Sequence, residues 1–552
     1  MEQLKPLPGY NSPTGPVVLA IMDGIGIGRH EDGDMVRLAA TPTLDWLARN
    51  SLTTRLKAHG TAVGMPSDKD MGNSEVGHNA IGCGRVFDQG AALVNKAIAE
   101  GTLFAGPVWK SLVANVVRND SALHLIGLLS DGNVHSHIDH LEALLAEAAR
   151  SGVKQARVHV LLDGRDVPST SALEYVDRLE DYLGDLNAGK GVDYAIADGG
   201  GRMQITMDRY EADWEMVARG WRMYTRGEGR GFASCRDAIA TYREENPGVL
   251  DQDLPAFIIV REGQPLGVIR DNDSVICFNF RGDRAIEISK AFEADDFNHF
   301  DRAPRPKVEY AGMMQYDGDA LIPTRFLVEP PGIDRTMGEY LVHAGVRQMA
   351  ISETQKFGHV TYFFNGNRTG RFDDALEAYI EIPSDRVPFE ERPWMKAAEI
   401  TDAVVAAIRK GEHRFIRLNF ANGDMVGHTG ILPAVRIAVE TVDLCLARIV
   451  KAVRETGGVL VVSADHGNSD DMFERDKKTG EVIIDPDSGA IKTKTSHSLN
   501  PVPVHIYDPG VKIPLRLKEG DALGISSLAA TCLTLLGFEP PGDYSPSIVE
   551  TA

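Results

Sequence analysis

Pro16-Val17-Val18-Leu19-Ala20-Ile21-Met22 runs directly into Asp23-Gly24-Ile25-Gly26. An unbroken apolar run predicts a strand buried on both faces, as in a parallel sheet covered by helices. The run stops on a carboxylate followed by glycine. In open α/β sheets, ligands bind just beyond the carboxyl ends of the strands. An aspartate in an ordinary strand-to-helix turn would look the same, so the pattern matters because it recurs. Phe415-Ile416-Arg417-Leu418-Asn419-Phe420 leads into Asn422-Gly423-Asp424-Met425-Val426-Gly427-His428. Gly458-Val459-Leu460-Val461-Val462-Ser463-Ala464 leads into Asp465-His466-Gly467-Asn468. Thr41 to Asn50 reads as a helix, with Thr41 as cap and Pro42 at its first position. The run His359-Val360-Thr361-Tyr362-Phe363-Phe364, just after Lys356, reads as a further strand. Helices are expected from about Pro433 to Arg454 and from Ile525 to Leu536.

The pattern changes around Phe87-Asp88-Gln89-Gly90, and a new block of alternating strands and helices begins. Leu123 to Leu129 ends in Ser130-Asp131-Gly132-Asn133-Val134-His135-Ser136-His137. Val158 to Leu162 ends in Asp163-Gly164-Arg165-Asp166, and Tyr194 to Ala197 in Asp198-Gly199-Gly200-Gly201-Arg202, with Arg209 beyond it. Val275 to Phe280 ends in Arg281-Gly282-Asp283-Arg284. Strand–turn–helix repetition implies a second parallel-sheet domain. Arginines recurring just past apolar strands suit a carboxylate or phosphate, because the planar guanidinium fork bonds two oxygens at once. The fold class expected is therefore α/β in two domains, each a central, mostly parallel sheet flanked by helices. Residues 1–88 and 319–552 would form one discontinuous domain and 89–318 an inserted one, with crossings near 87–91 and 305–319.

The chain has 552 residues, too many for one core. Its formal charge is 58 − 79 = −21. That balance disfavours nucleic acid and anionic membrane as partners. It leaves room for a small anion, since screening lets a local arginine cluster dominate its own pocket. The five cysteines are scattered and form no C-x-x-C pair, which reads as reduced thiols in the cytoplasm. Met1 to Gly15 has no apolar signal core, and no apolar run reaches membrane-spanning length.

Asp70-Met71-Gly72-Asn73-Ser74-Glu75-Val76-Gly77-His78 sets a serine among small and polar residues. The serine could simply cap a helix starting near Glu75. As a nucleophile it would need a base or a metal, and no G-x-S-x-G elbow is present. Candidate metal ligands stand just past the buried strands: Asp23, Asp424, His428, Asp465 and His466, with His497 further on. Mixed Asp/His sites suit Mn²⁺, Zn²⁺ or Co²⁺. Six ligands are too many for one tetrahedral zinc and about right for two ions. Two ions ~3.5–4 Å apart would clamp the attacking and leaving oxygens of a phosphoryl transfer. The polar stretch from Glu474 to Lys494 reads as an exposed insertion.

With these motifs in order over nearly the whole chain, the sequence closely resembles the cofactor-independent phosphoglycerate mutases of the alkaline-phosphatase-like metalloenzyme superfamily. Ser352-Glu353-Thr354-Gln355-Lys356 completes the set. The resemblance implies interconversion of 3-phosphoglycerate and 2-phosphoglycerate without 2,3-bisphosphoglycerate, in a cytoplasmic monomer. It implies that the discontinuous domain is the phosphatase-like, metal-binding one and the inserted domain the transferase that binds substrate and could act as a lid. Ser74 would carry the phosphoryl group. One metal would be held by Asp424, His428 and His497, the other by Asp23, Asp465, His466 and Ser74, with Mn²⁺ the expected ion. Lys356 would neutralise the transferring group. His135, Arg165, Asp166, Arg202, Arg209, Arg281 and Arg284 would hold the glycerate, with Asp166 as proton shuttle. Arg202 and Arg209 stand one position further apart than is usual in the family, and the 474–494 insertion is longer than in bacterial members. A metal-dependent phosphatase or phosphopentomutase of the same superfamily would share the metal ligands but has no need of the arginine-bearing block. A non-catalytic metal-binding scaffold has no reason to set a bare serine among glycines beside them.

Overall fold

A computed structural model describes residues 3–551 apart from 66, 89, 209–212, 304, 318–320, 330–331, 477–478, 485–488, 511–514 and 519–522. The chain divides into two compact units, Met1–Gln89 with Gly332–Ala552, and Gly90–Pro331. Each is built on a mixed sheet flanked by helices.

In the first unit the strands lie in the order Glu377–Ile382, Gln348–Glu353, Phe415–Phe420, Val17–Met22, Val459–Ser463, Val502–Tyr507, Leu52–Leu56. The first five are parallel, and the last two joins are antiparallel. Val17–Met22 is central, and its residues alternate between two cores. Val17, Leu19 and Ile21 pack with the Ser527–Leu535 helix side, and Val18, Ala20 and Met22 pack with the Leu432–Thr456 side. That two-sided burial is why the run carries no polar alternation. Val17 pairs with both Phe415 and Val459, so the three central strands start in step. They therefore end in step, and Asp23, the Asn422–Gly427 helix and Asp465 emerge at one edge.

In the second unit the order is Glu309–Gly312, Ser274–Cys277, Ala122–Leu129, Gln155–Leu162, Asp193–Gly201, Phe257–Arg261, Arg230–Phe232. The first five are parallel, and Phe257–Arg261 joins them antiparallel. The short strand Gln264–Pro265 pairs with Phe257–Arg261.

Two local readings are corrected. His359–Phe363 is a wide helical turn continuing the Thr354–Gly358 helix, not a strand. Aromatic and β-branched composition is shared by buried strands and buried helical segments, and the run was too short for periodicity to separate them. The neighbouring strand is Gln348–Glu353, whose polar residues are buried and bonded: Gln348 Nε2 donates to the Gly338 carbonyl, and Ser352 Oγ to the Asn419 carbonyl. Ser74 is not a cap. Asn73 caps the Ser74–Cys83 helix by accepting from the Val76 N–H, and Ser74 is its first residue.

The Ser74–Cys83 helix packs so closely on the turn after Lys356 that a Cβ on Gly82 would lie 1.9 Å from the Phe364 carbonyl oxygen. Gly82→Ala is expected to cost about 1–3 kcal/mol through overpacking. Gly184→Ala, in the Ala172–Lys190 helix with open space around it, should instead gain about 0.5–1 kcal/mol. Urea unfolding midpoints check both, and a Gly82→Ala midpoint at or above wild type would contradict the packing.

Candidate functional site

Strand register supplies the first half of the site. Asp23, Asp424 and Asp465 are buried; Asp23 and Asp424 pair with Lys356, and Asp23 also accepts from Ser74. Lys356 Nζ donates to Ser74 Oγ at 2.5 Å, to Asp424 Oδ2 at 2.8 Å and to Asp23 Oδ1 at 3.1 Å. Ser74 Oγ donates to Asp23 Oδ1 at 3.2 Å and lies 2.9 Å from His466 Nε2. Because Ser74 opens a helix, anything bonded to its oxygen meets the free N–H groups and positive end of that helix.

The histidines are oriented by their Nδ1 atoms. His497 Nδ1 is 2.7 Å from the Gly72 carbonyl, and His428 Nδ1 is 2.6 Å from the Thr495 carbonyl. A ring that donates from Nδ1 carries its lone pair on Nε2. His428 Nε2 and His497 Nε2 lie 3.1 and 3.2 Å from Asp424 Oδ1, and 3.2 Å from each other. His466 Nε2 lies 3.4 Å from Asp23 Oδ1, 3.6 Å from Asp465 Oδ2 and 3.9 Å from Asp424 Oδ1. Two groups result whose donor atoms all fall within 4.8 Å of one another: Asp424, His466 and His497; and Asp23, Asp465 and His466.

Charge decides what these groups suit. Burial pushes the Asp23 carboxyl up, and Asp465 adds to the push. Burial acts the same way on Asp465 and Asp424. It is outweighed at Asp465 by His466, His78 and Lys356, and at Asp424 by His428 and Lys356, and both stay below the usual carboxylate range. For Lys356, burial opposes the charge, but Asp23, Asp424 and Asp465 hold its pKa above the ordinary value. Burial and His466 push His497 down to about 3, leaving a neutral base. Three buried carboxylates thus face Lys356 and His466, whose pKa the same carboxylates raise, and a further cation would ease their mutual repulsion. Asp465 Oδ2 is buried and, among the described residues, has His78 Nδ1 near it at 3.3 Å, a donor turned to the Ser74 carbonyl. An orphaned carboxylate oxygen beside a second carboxylate and an imidazole lone pair fits a divalent cation of borderline hardness.

In the second unit the chemistry again sits past strand ends. Asp163 accepts from Ser130 Oγ at 2.6 Å, from the Arg165 and Asp166 N–H groups, and from Arg202 NH1 at 2.9 Å. Arg202, almost wholly buried, also pairs with Asp166. Burial holds the Asp166 carboxyl above its ordinary value despite Arg202. His135 Nδ1 is 3.5 Å from Asp283 Oδ1, which Arg281 Nε approaches at 3.1 Å. Burial drives His135 well below its usual pKa; Arg202, Arg281 and Arg284 add to that, so it is a neutral ring in a cationic setting. Arg284 NH1 donates to the Met207 carbonyl, and Arg165 is exposed. Arg209 lies outside the described residues.

Several participants escaped sequence reasoning. Asn419 Nδ2 donates to Asp23 Oδ2, and Asn468 Nδ2 to Asp424 Oδ1. His78 and Asp163 organise one cluster each. Asn468 and Asp163 stood inside recognised motifs; Asn419 was visible only as a polar residue in an otherwise buried strand.

The model of the metalloenzyme superfamily matches residues 15–540. A probable 2,3-bisphosphoglycerate-independent phosphoglycerate mutase of Leptospira interrogans is 52% identical over 543 residues, covering 98% of each chain. The 2,3-bisphosphoglycerate-independent phosphoglycerate mutase of Trypanosoma brucei brucei is 50% identical over 546 residues, again covering 98% of each. Among solved structures, Leishmania mexicana phosphoglycerate mutase at low cobalt concentration superposes with a TM-score of 0.85, at 50% identity over 100% of both chains.

Removing the Arg202 guanidinium would leave Asp163 and Asp166 facing each other without their shared cation. Arg202→Met is expected to destabilise the protein by about 3–5 kcal/mol, the usual cost of breaking a buried ion pair from one side. Chemical denaturation measures this, and a loss below about 1 kcal/mol, the scale of an exposed pair, would contradict it.

Proposed function

The chain belongs to the 2,3-bisphosphoglycerate-independent phosphoglycerate mutases of the metalloenzyme superfamily, and from that membership we propose how its residues divide the work of exchanging 3-phosphoglycerate and 2-phosphoglycerate. Ser74 Oγ passes its proton to the Asp23 carboxylate that accepts its hydrogen bond, attacks the substrate phosphorus, and takes a proton back when it is released. The phosphorus–serine bond forms as the bond to the glycerate 3-oxygen breaks, and that oxygen takes up a proton. In the return step the glycerate 2-hydroxyl loses a proton and attacks the same phosphorus, releasing Ser74. The single observation that carries this reading is the position of Ser74 Oγ, within 3.2 Å of Lys356 Nζ, His466 Nε2 and Asp23 Oδ1 together.

We assign two divalent cations to this region, one to Asp424 and His497 of the first cluster together with the neighbouring His428, the other to Asp23, Asp465 and His466 of the second with the Ser74 oxygen. Their expected identity is Mn²⁺, with Co²⁺ or Zn²⁺ as alternatives. Bound there, they supply Lewis-acid neutralisation of phosphoryl charge and favour loss of a nearby hydroxyl proton. The protein's share is positioning and charge, which phosphoryl transfer needs more than covalent chemistry. Lys356, held cationic by its carboxylates, balances the equatorial oxygens. The second unit is the substrate-binding one: His135, Arg165, Arg202, Arg209, Arg281 and Arg284 hold the glycerate carboxylate and hydroxyls. Asp166, whose pKa is raised toward working pH, carries the proton between the two hydroxyls.

The five cysteines are free and buried, and we place the enzyme in the cytoplasm as a monomer acting on its small substrate, with no nucleic-acid or membrane partner. No helix among the described residues is long and apolar enough to cross a membrane.

Ser74→Ala is expected to abolish mutase activity while circular dichroism and thermal unfolding stay near wild type. Mass spectrometry of wild type quenched with 3-phosphoglycerate should find one phosphoryl group on the Ser74 peptide; turnover by Ser74→Ala would refute the phosphoserine step. Exhaustive chelation is expected to remove activity, and Mn²⁺ or Co²⁺ to restore it. Full activity after chelation would rule out the two cations.

A further inference from the structure

His497 lies at the far end of the polar insertion. The insertion folds back on itself through bridges pairing Phe473 with Thr493, Arg475 with Val482 and Ile484 with Ile491. Something must still fix where the returning chain sits against the loops of Asp23 and His466. One buried carboxylate touches all three. Asp470 Oδ1 accepts the Gly26 N–H at 3.1 Å, three residues past Asp23. Asp470 Oδ2 accepts Ser498 Oγ at 2.8 Å, one residue past His497, and Asn500 Nδ2 at 2.7 Å. Asp470 itself follows His466 by four residues and is 1% exposed.

The contacts are too close for other residues to share the space. A Cβ at Gly26 would stand 2.5 Å from Asp470 Oδ1, and one at Gly467 would stand 2.5 Å from Oδ1 and 2.3 Å from Ser498 Oγ. Backbone bonds run alongside: Ser498 N–H donates to the Gly467 carbonyl, and the Asn468 and Ser469 N–H groups to the Gly24 carbonyl. Among the described residues, no ion pair involves Asp470. A buried carboxylate held by three neutral donors is an expensive way to stabilise a fold, but it is a directional anchor for the segments that donate to it.

We infer that Asp470 is a positioning residue for both cation clusters, a clamp that joins the loops of Asp23, His466 and His497 and sets their ligand atoms at coordinating distance. The inference rests on reading those clusters as two cation sites. Asp470 and Ser498 are 28 positions apart, so without the clamp His497 would be held by the insertion's own ladder, its bond to Gly72 and the single backbone bond from Ser498 to Gly467. The cluster of Asp424, His466 and His497 therefore depends on Asp470 most, since two of the three bonds hold the segment just after His497. Residues that orient metal ligands from behind typically change affinity 10–100-fold when replaced.

The test compares metal-stripped wild type, Asp470→Asn, Ser498→Ala and Asp443→Asn by calorimetric titration with Mn²⁺. Asp443 is the control. It is a buried carboxylate of the same unit that accepts the Thr43 and Leu44 N–H groups and touches no ligand loop. Wild type should bind two Mn²⁺. Asp470→Asn should weaken one site about 10–100-fold and the other less, Ser498→Ala should shift the same site by a smaller factor, and Asp443→Asn should lower the melting temperature without altering either affinity. At saturating Mn²⁺, Asp470→Asn should recover kcat with KM for 3-phosphoglycerate unchanged, a rescue that a general loss of stability does not show. Wild type with two sites and Asp470→Asn with unaltered affinities would overturn the inference alone. An equal affinity loss in Asp443→Asn would overturn it too. Wild type with fewer than two sites would overturn the two-cation reading and this inference with it. Should Asp470→Asn fail to fold, Ser498→Ala decides, and unaltered Mn²⁺ binding there overturns the clamp.

Discussion

The first unit is organised around mutual repulsion that the protein does not relieve by itself. Asp23, Asp424 and Asp465 are buried within reach of one another, and Lys356 is the ammonium set among them. Like charges at such separations in a low-dielectric interior cannot all ionise without compensation. The divided response, with the Asp23 carboxyl pushed up and those of Asp424 and Asp465 held down, is what an under-neutralised cluster does. Such a cluster suits added cations on its own electrostatics.

The sheet is what forces the carboxylates together. Asp23 and Asp465 follow neighbouring parallel strands and Asp424 lies in the helix that follows a third, and a parallel pairing in step leaves the chain ends at a common edge. An antiparallel arrangement of the same three strands would send one set of ends to the opposite side. The two-sided hydrophobic burial of Val17–Met22, and the site it presents, are thus one choice of topology. The asparagines on and after these strands then steady two of the carboxylates, Asn419 donating to Asp23 Oδ2 and Asn468 to Asp424 Oδ1.

That logic explains what the sequence disclosed. Continuous apolar runs ending in Asp, His or Arg located the strand ends in both units, because such runs have few uses other than parallel strands. Gln348–Glu353 stayed hidden because its polar side chains are satisfied by partners remote in sequence, among them Arg417, whose NH1 donates to Gln348 Oε1. The same arginine explains the misread neighbour. Arg417 Nε donates to the Val360 carbonyl, an acceptor left over where the wide helical turn departs from regular bonding. Side chains that organise rather than react, such as His78, Asp163 and Asp470, carry no pattern of their own. Their importance lies in what three separate segments do around them.

One consequence concerns sign. The whole chain carries −21, and the pocket floor around Ser74 adds three carboxylates, yet the group to be received is a phosphate. Lys356 and the amino end of the Ser74–Cys83 helix supply positive potential, and His466, raised by the same carboxylates, adds to it. Any cation bound there would add further attraction for phosphate, so substrate affinity and cation occupancy would be linked, each raising the other.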